Sequence, residues 1–341
     1  MALASLRLGL SSGRTPGAIP PRGDSTGDIS PPAAGRGPPL TGPRPGAILG
    51  QALMKTSKTW ALVLMGGGAR GLAHVGVIRV LEKHGLVPDV IAGTSMGALV
   101  GGLHAAGLSG RQLTDMLDGS GLEEALEGVK GFGLFKRSLN LFEALMLTDT
   151  KNRFIKKIGV DKSDAIEAYL KSCVGNVRIE DLPVKFLCNA VDLVSGREVM
   201  FTRGKLARAL RATMSLPLVF APVRMRGMLL LDGGVLNSAP VEAARAAGAE
   251  VAVLVDVHRP VKKAKREDLK SAYQILQRTV EVAAAASFEE RARRADFVLR
   301  VPVDLGVLNF DEPRRIARKG ERAAKARLEE LKAAIGAASS T

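Results

Sequence analysis

The chain is poor in aromatic residues, which make up 4% of its 341 positions, with one tryptophan and two tyrosines. Proteins that hold single-stranded nucleic acid stack bases on such rings. No nucleic-acid motif stands in for them, so nucleic acid is not an expected partner. Cysteine is scarcer still. The two that occur, Cys173 and Cys188, lack metal-ligand spacing and cannot form a disulfide framework, which points to free thiols in a reducing compartment. No apolar run approaches the ~20 residues a membrane-spanning helix needs, so the chain is expected not to cross a bilayer. The first residues lack the apolar core of a secretory signal; they contain Arg and Ser and few acids, as transit peptides do. A simpler expectation is a tail outside the fold, or a true start at Met54, in a cytoplasmic protein that visits membranes only peripherally.

Glycine and proline are plentiful, at 38 and 17 residues, and nine of the prolines precede residue 59. Residues 1–58 have no apolar periodicity and cannot bury enough surface to offset chain entropy, so they are expected to be disordered. One domain should follow over 59–258, with a C-terminal strand and helices over 259–341 packing on it. The net charge is +15, and seven basic against two acidic residues up to Lys58 leave +10 for the remainder. Basic clusters at 262–266, 291–294 and 314–327 suit solvated helix faces or contact with an anionic membrane surface.

Short, wholly apolar runs alternate with helical patterns. Strands are expected at Trp60–Met65, Asp89–Ala92, Val184–Ala190, Glu198–Thr202, Met228–Leu231, Val251–Val255 and Phe297–Val301. Helices are expected near Leu72–His84, from Met96 to Gly107, at Lys205–Ala212 and Val241–Ala247, and as one long segment from about Arg314 to Ala334. Residues 108–180 read as mixed and helical. Apolar strands separated by helices imply a largely parallel sheet covered on both faces, a three-layer α/β/α sandwich.

Two turns carry the chemistry. Gly93-Thr94-Ser95-Met96-Gly97 follows an apolar strand and precedes a helix. Such a turn presents Ser95 Oγ at the sheet edge, and Gly93 and Gly97 are needed because a Cβ there would strike the neighbouring strand and helix. Asp232-Gly233-Gly234 likewise ends an apolar run, so its carboxylate should face Ser95 from another strand's carboxyl end. Gly66-x-Gly68-x-x-Gly71 fits a dinucleotide loop in form. That use needs an acid at the end of the second strand, whereas Asp89 lies at its beginning. The same glycines suit an oxyanion nest of Gly66, Gly67 and Gly68 N–H groups with Arg70 as an added cation. Of four histidines, His74, His84 and His104 fall in helices as packing or surface residues. His258 follows Asp232 in sequence and leaves open a Ser95-Asp232-His258 triad beside a Ser95-Asp232 dyad, which the Asp-Gly-Gly turn favours.

The ordered blocks Gly66-Gly67-Gly68-Ala69-Arg70-Gly71, Gly93-Thr94-Ser95-Met96-Gly97, Arg211-Ala212-Thr213-Met214-Ser215-Leu216-Pro217 and Leu231-Asp232-Gly233-Gly234 resemble those of the patatin-like phospholipases. The likeness runs from about Leu62 to Val257 and includes Asp192, Ser195-Gly196, Gly204, Asn237 and Pro240. It departs where Thr213 stands in place of a more usual serine. The resemblance implies hydrolysis of fatty-acyl esters of phospholipids or lysophospholipids, with Ser95 as nucleophile, Asp232 as base, an oxyanion hole at Gly66–Gly68 and no metal or organic cofactor. An acyltransferase with the same dyad and an inactive lipid-binding protein are the alternatives.

Overall fold

In the computed structural model the described residues are 54–117, 164–217, 220–259, 261, 263–270, 272–306 and 309–337. Most of the expected tail, the bulk of the mixed stretch (118–163) and Lys262 of the first basic cluster lie outside them. The elements are β1 (Trp60–Leu64), α1 (Ala73–Lys83), β2 (Val90–Gly93), α2 (Met96–Ala105), α3 (Gly110–Met116), α4 (Asp164–Val174), β3 (Lys185–Asp192), β4 (Arg197–Phe201) and α5 (Leu206–Thr213). There follow β5 (Val223–Met225), β6 (Met228–Asp232), α6 (Val241–Ala246), β7 (Val251–Asp256), α7 (Ala272–Ala292), β8 (Phe297–Arg300), α8 (Pro313–Ala326) and α9 (Leu328–Ile335).

β1 sits at the centre, parallel to β2 on one side and β7 on the other, and β3 and β8 extend the parallel set. Every residue of β1 and β7 is buried, as strands covered by helices on both faces must be. This is the mixed, mostly parallel sheet between helix layers that the alternating pattern predicts. α1 and α8 cross almost backbone to backbone. A Cβ on Gly76 would lie 1.9 Å from the Ala317 carbonyl oxygen, and one on Gly320 1.9 Å from that of Ala73. The two glycines thus let the C-terminal helix dock directly on the domain.

The register around β3 explains how the site is assembled. Cys188 pairs with Gly93 of β2 and with Phe201 of β4, so β2 and β4 lie on opposite edges of β3. Ala190, Val191 and Asp192 pair with β4 and also with Asp232, Leu231 and Leu230 of β6. β6 must therefore share an edge with β2. The two strands meet there end to end, β2 finishing beside Cys188 and β6 finishing beside Ala190 from the opposite direction. Asp232 does end its strand as expected, but that strand is antiparallel to the main set. It reaches the carboxyl edge because β3 is long enough to overhang β2 and carry it.

Four other expectations change. Residues 54–58 pack on the domain: the Met54 N–H donates to the Gly85 carbonyl and the Ser57 N–H to that of Gly336, both at 3.0 Å. The single C-terminal helix is two, broken at Arg327. There the guanidinium lies 4.4 Å over the Phe297 ring and donates to the Val298 carbonyl at 2.7 Å, a tertiary anchor no local residue signals. β5 has no counterpart among the expected strands, and α7 falls in the 259–341 stretch expected to hold helices but with no bounds of its own. β5 has only three residues, two of them not buried, and α7 is rich in alanine, with no clear stripe of large apolar residues.

Candidate active site

Ser95 occupies the sharp turn from β2 into α2 with φ 52° and ψ −124°, a left-handed conformation that costs a non-glycine residue on the order of 1–3 kcal/mol. Its surroundings hold it there. A Cβ on Gly93 would meet the Ala98 backbone at 2.6 Å, and one on Gly97 the Leu64 carbonyl oxygen at 2.1 Å. The helix and the central strand thus close on the turn from both sides, as the two glycines predict. The Ser95 N–H donates to Thr213 Oγ1 at 2.9 Å. That hydroxyl, buried at the end of α5, satisfies a donor the strained turn would otherwise orphan.

The Ser95 hydroxyl donates to Asp232 Oδ2 at 2.6 Å. The other carboxylate oxygen, Oδ1, accepts the Gly234 N–H at 2.8 Å. Asp232 is only 4% exposed. Burial pushes its carboxyl up from the ordinary 3.8 to about 6, against the opposing pull of the bonds from Ser95 and Gly234. Its own N–H donates to the Ser215 carbonyl at 3.0 Å, and Ser215 Oγ is held by buried Arg211 at 2.7 Å. The 211–217 segment, visible in the sequence only as a block without a role, therefore grips both Ser95 and Asp232.

A second clamp lies beneath them on β3. Fully buried Asn189 accepts the Thr94 hydroxyl at 2.8 Å and donates to the Asn237 carbonyl at 2.8 Å and to Glu198 Oε1 at 2.7 Å. A Cβ on Gly233 would strike Asn189 Oδ1 at 2.2 Å. Glycine after Asp232 is thus what lets one asparagine brace the turns carrying the serine and the carboxylate. Nothing local in the sequence marks this residue, because its partners come from three separate segments.

The glycine loop runs beside Ser95: a Cβ on Gly66 would lie 3.4 Å from Ser95 Cβ. Gly66 leaves the expected set of donors, because its N–H is taken by the Ser238 carbonyl at 2.9 Å. Among the described residues no hydrogen bond takes the N–H of Gly67 or Gly68, and Gly68 has φ 55°. Arg70 does not simply project a cation into the nest, since its Nε donates to the Gly67 carbonyl at 3.3 Å and braces the loop. Asp89 Oδ2 accepts the Trp60 N–H at 2.8 Å, at the amino end of both strands, far from where a ribose-binding acid must stand.

His258 stacks on Phe288 with ring centroids 4.8 Å apart, and its N–H donates to Asp256 Oδ1 at 2.7 Å. The hydrogen bonds of Ser95 and Asp232 do not include it. His74 and His104 are buried with a ring nitrogen 2.9 Å from the Met65 and Leu108 carbonyls respectively. Burial lowers both, His74 to about 4, so they are neutral packing groups. No cluster of potential metal ligands occurs among the described residues, and no helix among them is long and apolar enough to cross a membrane.

A mixed, mostly parallel sheet between helix layers, with a strained serine hydrogen-bonded to a buried carboxylate at its edge, defines a three-layer α/β/α protein with a nucleophile-elbow turn. The chain belongs to the Patatin-like phospholipase family, whose model matches residues 62–245, more than half of its length. It is 37% identical over 198 residues to an uncharacterized NTE family protein of Mycobacterium tuberculosis, a match covering 58% of this chain and 49% of that one. It is 33% identical over 196 residues to Lysophospholipase NTE1 of Eremothecium gossypii, covering 58% of this chain and 12% of the relative. The matched region thus spans half or less of these relatives. Among solved structures, VipD from Legionella pneumophila matches with a TM-score of 0.43 at 13% identity, covering 81% of this chain and 68% of that one.

Proposed function

We propose that the chain hydrolyses fatty-acyl esters of lysophospholipids or related lipids through a Ser95–Asp232 dyad. The reading is carried by the 2.6 Å hydrogen bond from Ser95 Oγ to Asp232 Oδ2, with no intervening histidine. Ser95 Oγ attacks the acyl carbonyl while its proton passes to Asp232. The oxyanion forms against the Gly67 and Gly68 N–H groups, and Asp232 then protonates the departing alcohol. The resulting acyl-enzyme is cleaved by a water that Asp232 deprotonates. A carboxyl raised to about 6 is a stronger base than an ordinary aspartate yet still ionised at neutral pH. A lipid acyl group is supported by the family. The NTE1 relative is itself named a lysophospholipase.

The test is labelling with a fluorophosphonate, peptide mapping of the adduct, and hydrolysis of lysophosphatidylcholine. A single adduct on Ser95 together with fatty-acid release is expected. A protein that binds the lipid but neither labels nor turns over would instead be an inactive lipid binder.

Gly68→Ala should lower kcat with little change in KM, because the donors act on charge that exists only in the transition state. Alanine keeps the N–H, but its Cβ disfavours φ 55° and so re-aims the donor; losing one such donor outright costs ~10²–10³ in rate. A variant that weakens KM alone would mark the loop as a ground-state anion site. Asn189→Ala should also act on kcat, by on the order of 10²-fold, because small misplacement of two reacting groups is that costly. Steady-state kinetics beside a thermal melt check this. Unchanged turnover in a folded variant would remove Asn189 from a positioning role.

A further inference from the structure

We propose that two adjacent hairpin tips beside the dyad, residues 192–197 and 225–228, dock the protein on an anionic phospholipid surface. The proposal deepens the lipid-ester reading above and rests on it. The turn from β3 to β4 and the turn from β5 to β6 lie side by side, tied by the Leu193 N–H to the Leu229 carbonyl at 2.9 Å and by the Leu229 N–H to Asp192 Oδ1 at 3.0 Å. Both overhang the edge that holds Ser95 and Asp232. Val194 lies two residues beyond the end of β3, the strand whose Ala190 pairs with Asp232.

Three observations on and near these tips point to lipid. Six large hydrophobic side chains are exposed among the described residues, and four of them flank Asp232. Leu193 and Val194, 49% and 72% exposed, sit on the first tip, and Val235 and Leu236, 43% and 41% exposed, follow the Asp-Gly-Gly turn. Three arginines stand on and beside these tips. Arg197, Arg224 and Arg226 are exposed and make no ion pair among the described residues. The acids nearby are engaged in hydrogen bonds: Asp192 caps the Val194 and Ser195 N–H groups, and Glu198 Oε1 accepts from Asn189 and Asn237. Finally, Arg226 has φ 50° and precedes Gly227 at φ 79° in a tight turn where glycine or asparagine fits without strain. A long cation kept in a left-handed position at a solvent-exposed tip is hard to explain by folding alone. Exposed aliphatics beside arginines that make no ion pair among the described residues match the acyl and phosphate layers of an anionic leaflet.

The test is cosedimentation of the full chain with phosphatidylcholine vesicles, with and without phosphatidylglycerol, alongside hydrolysis of a water-soluble short-chain ester. Wild type should bind the phosphatidylglycerol vesicles, lose them as salt rises, and bind neutral vesicles poorly. Replacing Arg197, Arg224 and Arg226 by Gln should weaken partitioning roughly 100-fold, at about fivefold per charge. The pair L193D and V194D should weaken it further. Both variants should hydrolyse the soluble ester at the wild-type rate. Arg226→Gly should bind vesicles less well yet melt at a higher temperature, because it removes the strain with the charge. Unchanged vesicle binding by the tip variants overturns the proposal, as does loss of binding only when Lys263, Lys265 and Arg266 are reversed to Glu. Wild type that binds vesicles through the tips but cannot cleave the soluble ester leaves the docking surface standing and overturns the dyad reading instead.

Discussion

Ser95→Ala is expected to abolish ester hydrolysis, by on the order of 10⁵–10⁶ in kcat, and to eliminate fluorophosphonate labelling. The substitution removes one hydroxyl from a turn whose geometry is imposed from outside. Gly93 and Gly97 still admit the helix and strand, and Thr213 Oγ1 still accepts the N–H of residue 95. Alanine tolerates φ 52° no better than serine, so the strain neither appears nor disappears with the change. The lost partner is the 2.6 Å bond to Asp232, and a single buried hydrogen bond to a charged group contributes ~1.5–3 kcal/mol. Part of that is recovered because Asp232, already raised by burial, can take a proton once its donor has gone. A modest change in melting temperature with complete loss of turnover is therefore the expected pair. Appreciable residual hydrolysis by a folded variant would show that another residue is the nucleophile.

The parts of this arrangement that a sequence can express are those encoded by neighbours along the chain. β1, β2 and β7 are legible because strands buried on both faces need unbroken apolar runs. The serine turn is legible because its two glycines bracket the residue they serve. Contacts across the chain are not legible in that way. Thr213 meets Ser95 from 118 positions away, and Asn189 meets Thr94 from 95. The apolar run Met228–Leu231 marks a strand but not its direction, so the end-to-end meeting of β2 and β6 emerges only from the pairings of β3. Gly66 fails as a donor for a similar reason: the carbonyl that occupies its N–H belongs to Ser238, from the loop after the Asp-Gly-Gly turn. The loop glycines differ only in what the rest of the chain brings to each N–H.

Asp232→Asn should be nearly as damaging to turnover as Ser95→Ala, while His258→Ala should leave it close to wild type. The amide can keep the site's shape, its oxygen accepting the Gly234 N–H and its nitrogen donating to Ser95 Oγ, but it cannot take a proton. Under a triad the loss of His258 would cost ~10⁴ or more in rate, since the general base itself would vanish. The base assignment also fixes a pH profile. With the Asp232 carboxyl near 6, kcat/KM should rise through about pH 6 to a plateau, and a profile controlled by some other group should not follow the burial of this one. Stability should run the opposite way. A folded-state value raised from 3.8 to about 6 means that the fold favours the protonated carboxyl. That contribution is fully present below about pH 3.8 and is lost as pH rises through about 6, leaving an ionised group that costs about 3 kcal/mol at pH 8. Asp232→Asn removes the charge and keeps the bonds, so it should melt above wild type at pH 8, with the gap closing towards pH 4. Melting curves at both pH values, set beside rates for the two variants, check all of this on one preparation. A melting gap that does not depend on pH, or a crippled His258→Ala, would remove Asp232 as the buried base.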